Sequence, residues 1–280
     1  MRARFLNVIL LGALAIFAAP TSAQERIPIF DAHMHYNWEP TPFYSMEQVL
    51  EVFRRNNITG VLATSRPNDG TRALVDAKPA GLWVVPFIRP YRIRADIQTW
   101  FKDPAIYELV EAEYKRGYYR GVGEFHIYGK DAGAEIAAKV VRFATEHGLY
   151  LHAHCDAEAL EILFSHDPRA KIIWAHTGFS VSAAQVQELL EKYPALWGEL
   201  SYRGGITDGS GKLTPEWKLL FARYADRFLL GSDTWINERW FSYDTIFNEY
   251  RKWLAQLPRD QAAKIAHGNA ERLFGPRPTN

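Results

Sequence analysis

One cysteine, Cys155, stands in 280 residues. No intrachain disulfide can form, so the chain must rely on a buried apolar core, which this length can supply. A surplus of either charge is also missing: 33 Lys and Arg face 32 Asp and Glu, a formal net charge of +1. No basic block runs through the sequence. Binding to long nucleic acids or anionic membranes draws on clustered positive charge and has no support here. No Ser-, Gly- or Pro-rich tract divides the chain, and no internal repeat is evident. Nor does a Gly-rich phosphate loop follow the first apolar segment, which disfavours an open dinucleotide-binding sheet.

Long apolar runs are scarce, and the one that stands out is N-terminal. Arg2 and Arg4 precede Phe5–Ala19, interrupted only by Asn7 and Gly12. That run is short of the roughly 20 residues a membrane span needs. Small residues, Thr21-Ser22-Ala23, close it, so residues 1–23 read as a secretory signal peptide cleaved after Ala23. The expectation is a periplasmic or secreted protein, not stably inserted in a membrane, whose single domain covers 24–280. Loss of Arg2 and Arg4 would take the formal charge from +1 to −1.

The remaining chain alternates short apolar runs with amphipathic helical patterns. Strands are expected at Ile27–His33, Ile58–Thr64, Leu82–Ile88, Arg120–His126, Leu149–His154, Lys171–His176, Leu196–Tyr202 and Arg227–Ser232. Helix signals separate them: Ser45 with Gln48 forms a capping box, Asp103-Pro104 a helix start, and Gly148 a left-handed stop. Two helices close the chain, roughly Tyr243–Gln256 and Asp260–Leu273. Eight strands alternating with helices in about 250 residues predict a single-domain α/β fold, a parallel (β/α)8 TIM barrel.

In such a barrel, catalytic side chains gather where the strands end. Six of the nine histidines fall at expected strand ends. His33 and His35 share a face at the end of the first strand, as residues i and i+2 must. Glu124 and His126 end the fourth, His152 and His154 the fifth, His176 the sixth, and Asp233 follows the eighth. Imidazoles and carboxylates in this number suggest a divalent metal site, with zinc the first choice and manganese, nickel or iron also suited. His152 and His154 share a face, so one can be a ligand and the other a donor behind it that fixes a tautomer; His154, nearer the strand end, is the chosen ligand. His176 is read as a ligand or a donor to substrate. Glu124 either bridges two ions or hydrogen-bonds within the barrel. His126 and His152 are kept as lesser substrate contacts. Arg66, Arg89 and Arg203 lie at or beyond strand ends, where guanidinium groups favour carboxylate or phosphate. Cys155 is read as a buried apolar residue.

The motif set resembles the amidohydrolase superfamily of metal-dependent hydrolases, in its amidohydrolase-related branch. Asp31-Ala32-His33-Met34-His35 is similar to the first-strand motif, Leu230-Gly231-Ser232-Asp233 to the last-strand motif, and His267–Phe274 to the closing helix. The resemblance implies one or two divalent ions. In a two-ion form, His33, His35 and Asp233 would hold one, His154 and His176 the other, with Glu124 as the bridge. In a one-ion form, His33, His35, His154 and Asp233 suffice and His176 contacts the substrate. Lys115 and Lys130 lie outside the fourth strand, so a carbamylated lysine bridge is not expected. Asp233 and His176 are the expected catalytic residues: the first moves a proton, the second polarises the bond attacked. The expected activity is hydrolysis of an amide, ester or lactone bond in a small molecule. A metal-dependent decarboxylase or a small-molecule phosphoesterase is the alternative. The oligomeric state is not indicated.

Overall fold

The computed structural model describes residues 26–275; the signal peptide expected at 1–23 lies outside them. Eight strands pair in parallel in the order β1 to β8. They are β1 Ile29–Met34, β2 Ile58–Ala63, β3 Trp83–Ile88, β4 Gly121–Ile127, β5 Tyr150–Cys155, β6 Lys171–Trp174, β7 Leu196–Glu199 and β8 Phe228–Leu229. Closure between the first and last runs through a parallel bridge from Asp31 to Leu230. Backbone hydrogen bonds from Ala32 N–H to Leu230 O and from Asp233 N–H to His33 O, each 2.7 Å, extend it. The predicted (β/α)8 barrel is therefore present. Among the described residues no helix is long and apolar enough to cross a membrane.

Helices fill the crossovers: α1 Met46–Arg55, α2 Asp69–Ala77, α3 Pro104–Tyr114, α4 Glu135–Glu146, α5 Ala157–His166, α6 Ala183–Lys192, α7 Pro215–Tyr224 and α8 Tyr243–Leu254. Local chemistry sets their starts. Ser45 accepts from the Gln48 N–H while the Gln48 side chain accepts from the Ser45 N–H, and Asp103 accepts from the Ala105 N–H behind Pro104. The larger apolar core lies between barrel and helices, with Met34, Val61, Val122 and Leu151 fully buried. A smaller core fills the barrel's lower interior. Phe30, Leu62, Val85, Phe87, Ile173 and Leu229 meet there, and Phe274 plugs them from below. Phe274 packs its ring 5.8 Å from both Phe30 and Phe87. Apolar filling of the lower barrel leaves the upper end for polar groups.

Four elements depart from the sequence expectation, the first being β8, expected at Arg227–Ser232 and confined to Phe228–Leu229. β6 ends at Trp174, because His176 and Thr177 turn into left-handed backbone, φ 57° and 45°. That turn swings the His176 ring inward. β7 is shorter than expected; Tyr202, also left-handed at φ 50°, leads the chain away. The expected final helix is broken into α9 Arg259–Ala263, a wide π turn at Lys264–Gly268, and α10 Asn269–Phe274. The break serves Asn269, whose buried amide donates to Ala225 O at 2.7 Å and Phe228 O at 2.8 Å, tying α10 to the start of β8. Asn269→Ala should leave two buried carbonyls without that donor and lower stability by on the order of 1–3 kcal/mol. Urea unfolding of the variant checks this, and an unchanged midpoint would deny the tie its role.

Candidate metal centre

At the upper end, side chains from five strand ends converge. His33 Nε2 and His35 Nε2 stand 3.1 Å apart. Asp233 Oδ1 lies 3.4 Å from the first and 3.0 Å from the second, and Glu124 Oε2 lies 3.4 Å from each. The other oxygen of Glu124 faces a different pair: Oε1 is 2.8 Å from His154 Nδ1 and 3.6 Å from His176 Nε2. His154 Nδ1 and His176 Nε2 are themselves 3.2 Å apart. One carboxylate thus stands between two groups of imidazoles. His33, His35, Glu124 and Asp233 are all buried, and their donor atoms lie close enough together to hold one metal ion.

Whether these atoms suit a metal depends on where the ring protons sit. His33 Nδ1–H donates to Glu199 Oε2 at 2.8 Å, and His176 Nδ1–H donates to Ser201 O at 2.8 Å. His35 Nδ1 meets the Thr64 carbonyl, which can only accept, so this contact calls for a proton there too. Arg89 Nη1, which can only donate, lies 2.8 Å from the same nitrogen and competes with Thr64 for it, while its neighbour Nη2 pairs with Glu124 Oε2 at 3.1 Å. In the His33 and His176 rings the Nε2 lone pair then faces the centre, and His35 matches them when Thr64 takes its Nδ1 proton. Lone pairs and carboxylate oxygens brought this close need positive charge between them. The donor set fits a divalent ion of the zinc type.

The electrostatics favour positive charge at the centre. Burial disfavours a charged His33, yet Asp233, Glu124 and Glu199 outweigh it and raise its pKa well above the ordinary imidazole value. Burial likewise disfavours ionised Glu124, but the neighbouring groups, His33 and Arg89 among them, hold it well below the usual carboxylate range. Asp233 is held down to about 2 by His33 and His35 against its own burial, so it is an anion at neutral pH. Asp31 is different. Burial pushes it up to about 6, although Ser232 and Tyr243 donate to it. Its carboxylate accepts from Ser232 Oγ at 2.6 Å and Tyr243 OH at 2.7 Å, anchoring the loop that carries Asp233.

A cavity of about 340 Å³ opens over the centre. Arg66, Arg89, Arg94, His126, His154 and His176 line it beside Glu124 and Asp233, together with Phe179, stacked on the His176 ring, Tyr202 and Trp235. The sequence expectation placed His152 and Arg203 there as well, and the structure corrects both. His152 is fully buried beneath the centre, its ring 4.4 Å from that of His33, and neither ring nitrogen has a partner. Burial and the neighbouring His33 push its pKa well below the ordinary value. Arg203 is spent on carbonyl groups: Nη1 donates to Phe179 O and Gly204 O, Nη2 to Val181 O, and the guanidinium lies over Trp217. Its role is to tie loops together. Arg66 does line the cavity. Its Nε is paired with Glu39, while its buried Nη2 has no partner.

Glu199, at the end of β7, escaped the sequence reading. It is fully buried, holds His33, and accepts from Ser201 N–H at 2.5 Å and from His176 N–H at 3.2 Å. The available signal was an acid closing an otherwise apolar run, Leu196-Trp197-Gly198-Glu199. Gly231 is required beside it: a Cβ there would stand 2.4 Å from Glu199 Oε1 and from His33 Cβ.

Fold and site together define a barrel enzyme with a buried imidazole–carboxylate centre at the strand ends. The family model described as "Amidohydrolase" matches residues 105–275, and the chain belongs to that family. It is accordingly a hydrolase-type enzyme. Solved structures share the fold. A TatD homolog from Escherichia coli K12 has 17% identity over 88% of this chain and 97% of its own, with a TM-score of 0.62. A protein assigned as 2-pyrone-4,6-dicarboxylic acid hydrolase from Pseudomonas putida has 16% identity over 89% and 97%, with a TM-score of 0.59. An amidohydrolase from Burkholderia multivorans with bound zinc has 14% identity over 88% and 99%, with a TM-score of 0.58. No curated protein matches the chain.

Two outcomes follow. Glu199→Gln should weaken zinc binding about 10–100-fold, the usual effect of losing a group that orients a ligating histidine. Equilibrium dialysis reads this, and unchanged affinity would count against the Glu199–His33 link. The second concerns Asp96, which organises the loop bearing Arg94 and Ile97. Burial raises its pKa, but Arg92 and the N–H groups of Arg92 and Ile93 outweigh that and lower it below 3.8. A depressed folded pKa contributes stability above the unfolded value that is lost as pH falls through the folded one. The stability gap between wild type and Asp96→Ala should therefore be constant above about pH 5 and shrink below about pH 4. Thermal melts across this range test it; a gap that widened on acidification would contradict the sign.

Proposed function

We propose that this is an exported metal-dependent hydrolase that cleaves an amide, ester or lactone bond in a small molecule bearing an acidic group. The observation that carries the reading is Glu124, whose two oxygens face two separate sets of imidazoles. That arrangement suits two ions, with His33, His35 and Asp233 on one side, His154 and His176 on the other, and Glu124 shared. The N-terminal apolar segment with its small-residue end supports export.

When bound, a divalent ion lowers the pKa of water towards about 7 and supplies the nucleophile at neutral pH. The chain's own groups do the rest. Asp233, anionic and 5% exposed, takes the proton of the attacking water and returns it to the leaving group. Arg66, with a free buried Nη2, and Arg94 give the cavity positive charge for a carboxylate on the substrate. Phe179, Tyr202 and Trp235 add flat apolar surface to the cavity lining.

The test is a panel of esters, lactones, amides and phosphoesters, with neutral and carboxylated members, run after loading with zinc, manganese or nickel. Turnover of carboxylated esters, lactones or amides is expected, and Asp233→Asn should lower kcat on them by about 10²–10⁴. Turnover confined to phosphoesters, or unchanged rates in Asp233→Asn, would contradict the proposal.

A further inference from the structure

We infer that His126 is a fixed N–H donor to the substrate oxygen that gains charge during hydrolysis, and that Tyr91 holds its proton on Nε2. The inference rests on the hydrolytic reading above and assigns work to two residues outside the proposed ligand set. His126 belongs to the cavity wall, and its side chain is 21% exposed.

The argument begins at Tyr91, which is fully buried. Its hydroxyl oxygen accepts the backbone N–H of His126 at 2.7 Å. The same hydroxyl stands 3.1 Å from His126 Nδ1. A buried hydroxyl must place its own proton on an acceptor. Among the described residues, His126 Nδ1 is the only acceptor to which this hydroxyl is bonded. Tyr91 O–H therefore donates to Nδ1, which keeps its lone pair. An uncharged imidazole carries one ring proton, so that proton is on Nε2.

The ring is held firmly. Trp100 Nε1–H donates to the His126 carbonyl at 2.7 Å, fixing the backbone on its other side. The ring also stacks on His154, with centroids 4.1 Å apart and planes 30° apart. Nε2 makes no hydrogen bond among the described residues, and Glu124 Oε1 is 4.0 Å from it. By distance alone, Glu124, His126 and His154 could hold an ion. A protonated Nε2 removes His126 from that set, because a ligating nitrogen needs its lone pair.

What remains is a preset donor beside the reacting centre. As water oxygen bonds to the carbonyl carbon, the carbonyl π pair moves onto oxygen, and the Nε2–H hydrogen-bonds that oxygen. The proton stays on Nε2 throughout. Donors fixed in advance are effective here because nothing must reorganise as charge develops.

The experiment uses the zinc-loaded full chain and a substrate from the panel. His126→Leu should lower kcat about 10²–10³-fold, with KM changed far less. His126→Gln, whose amide can put an N–H where Nε2 was, should recover much of the loss. Zinc content should be unchanged in both. Tyr91→Phe should lower kcat with KM little altered. Independently of activity, ¹⁵N NMR should show His126 with a protonated Nε2 and a bare Nδ1, and this preference should be lost in Tyr91→Phe. A protonated Nδ1 in the wild type, loss of zinc in His126→Leu, or an unchanged kcat there would overturn the inference. A wild type inactive on every panel member would overturn the hydrolytic reading and the catalytic role with it, while the NMR result would still decide the tautomer lock.

Discussion

Everything at the upper end of this barrel depends on one buried carboxylate. Glu124 is 2% exposed and surrounded by His33, His35, His126, His154, His176 and Arg89. A carboxylate so placed is far too costly to keep ionised unless positive charge meets it from several sides. Arg89 supplies part of that charge permanently. The rest must come from protons on imidazoles or from metal ions. Hydrogen bonds behind His33 and His176 turn their lone pairs inward, and that arrangement favours ions.

The barrel makes this possible through departures from regular strand geometry. His176 and Asp233 both have left-handed backbone, at φ 57° and φ 49°. Each such residue costs about 1–3 kcal/mol unless its surroundings impose it. For Asp233 the surroundings are explicit. Its N–H donates to His33 O, Ser232 on one side is held by Asp31, and Thr234 on the other exchanges hydrogen bonds with the His35 backbone. β1 and β8 are thus joined by the same contacts that place His33, His35 and Asp233. Closure of the barrel and assembly of the site are one set of interactions.

Much of this was legible in the sequence. Eight apolar runs with capping signals between them were enough for the fold, because strand and helix periodicity are local. His33 and His35 were readable as a pair because alternation along a strand is strict over two residues. Glu199 was not, since a single acid near a Gly-rich loop looks like an exposed residue until the fold buries it against His33. His152 was misplaced for the opposite reason. It shares a face with His154, but strand depth decides that one histidine reaches the cavity and the other lies sealed beneath it. Arg203 looked like an anion contact, because only the fold shows three carbonyls already using its guanidinium. Tyr91 offered only its place as an aromatic residue in a loop after the third strand, as its importance lies in a hydroxyl meeting a ring 35 residues later.

The central claim is that Glu124 is shared between two metal ions. Anomalous diffraction at the zinc edge, on crystals of the zinc-loaded protein, tests it most directly. The account predicts two peaks, one beside His33, His35 and Asp233 and one beside His154 and His176, with Glu124 reaching both. A single peak with Glu124 bound to nothing, or none at full zinc loading, would contradict it.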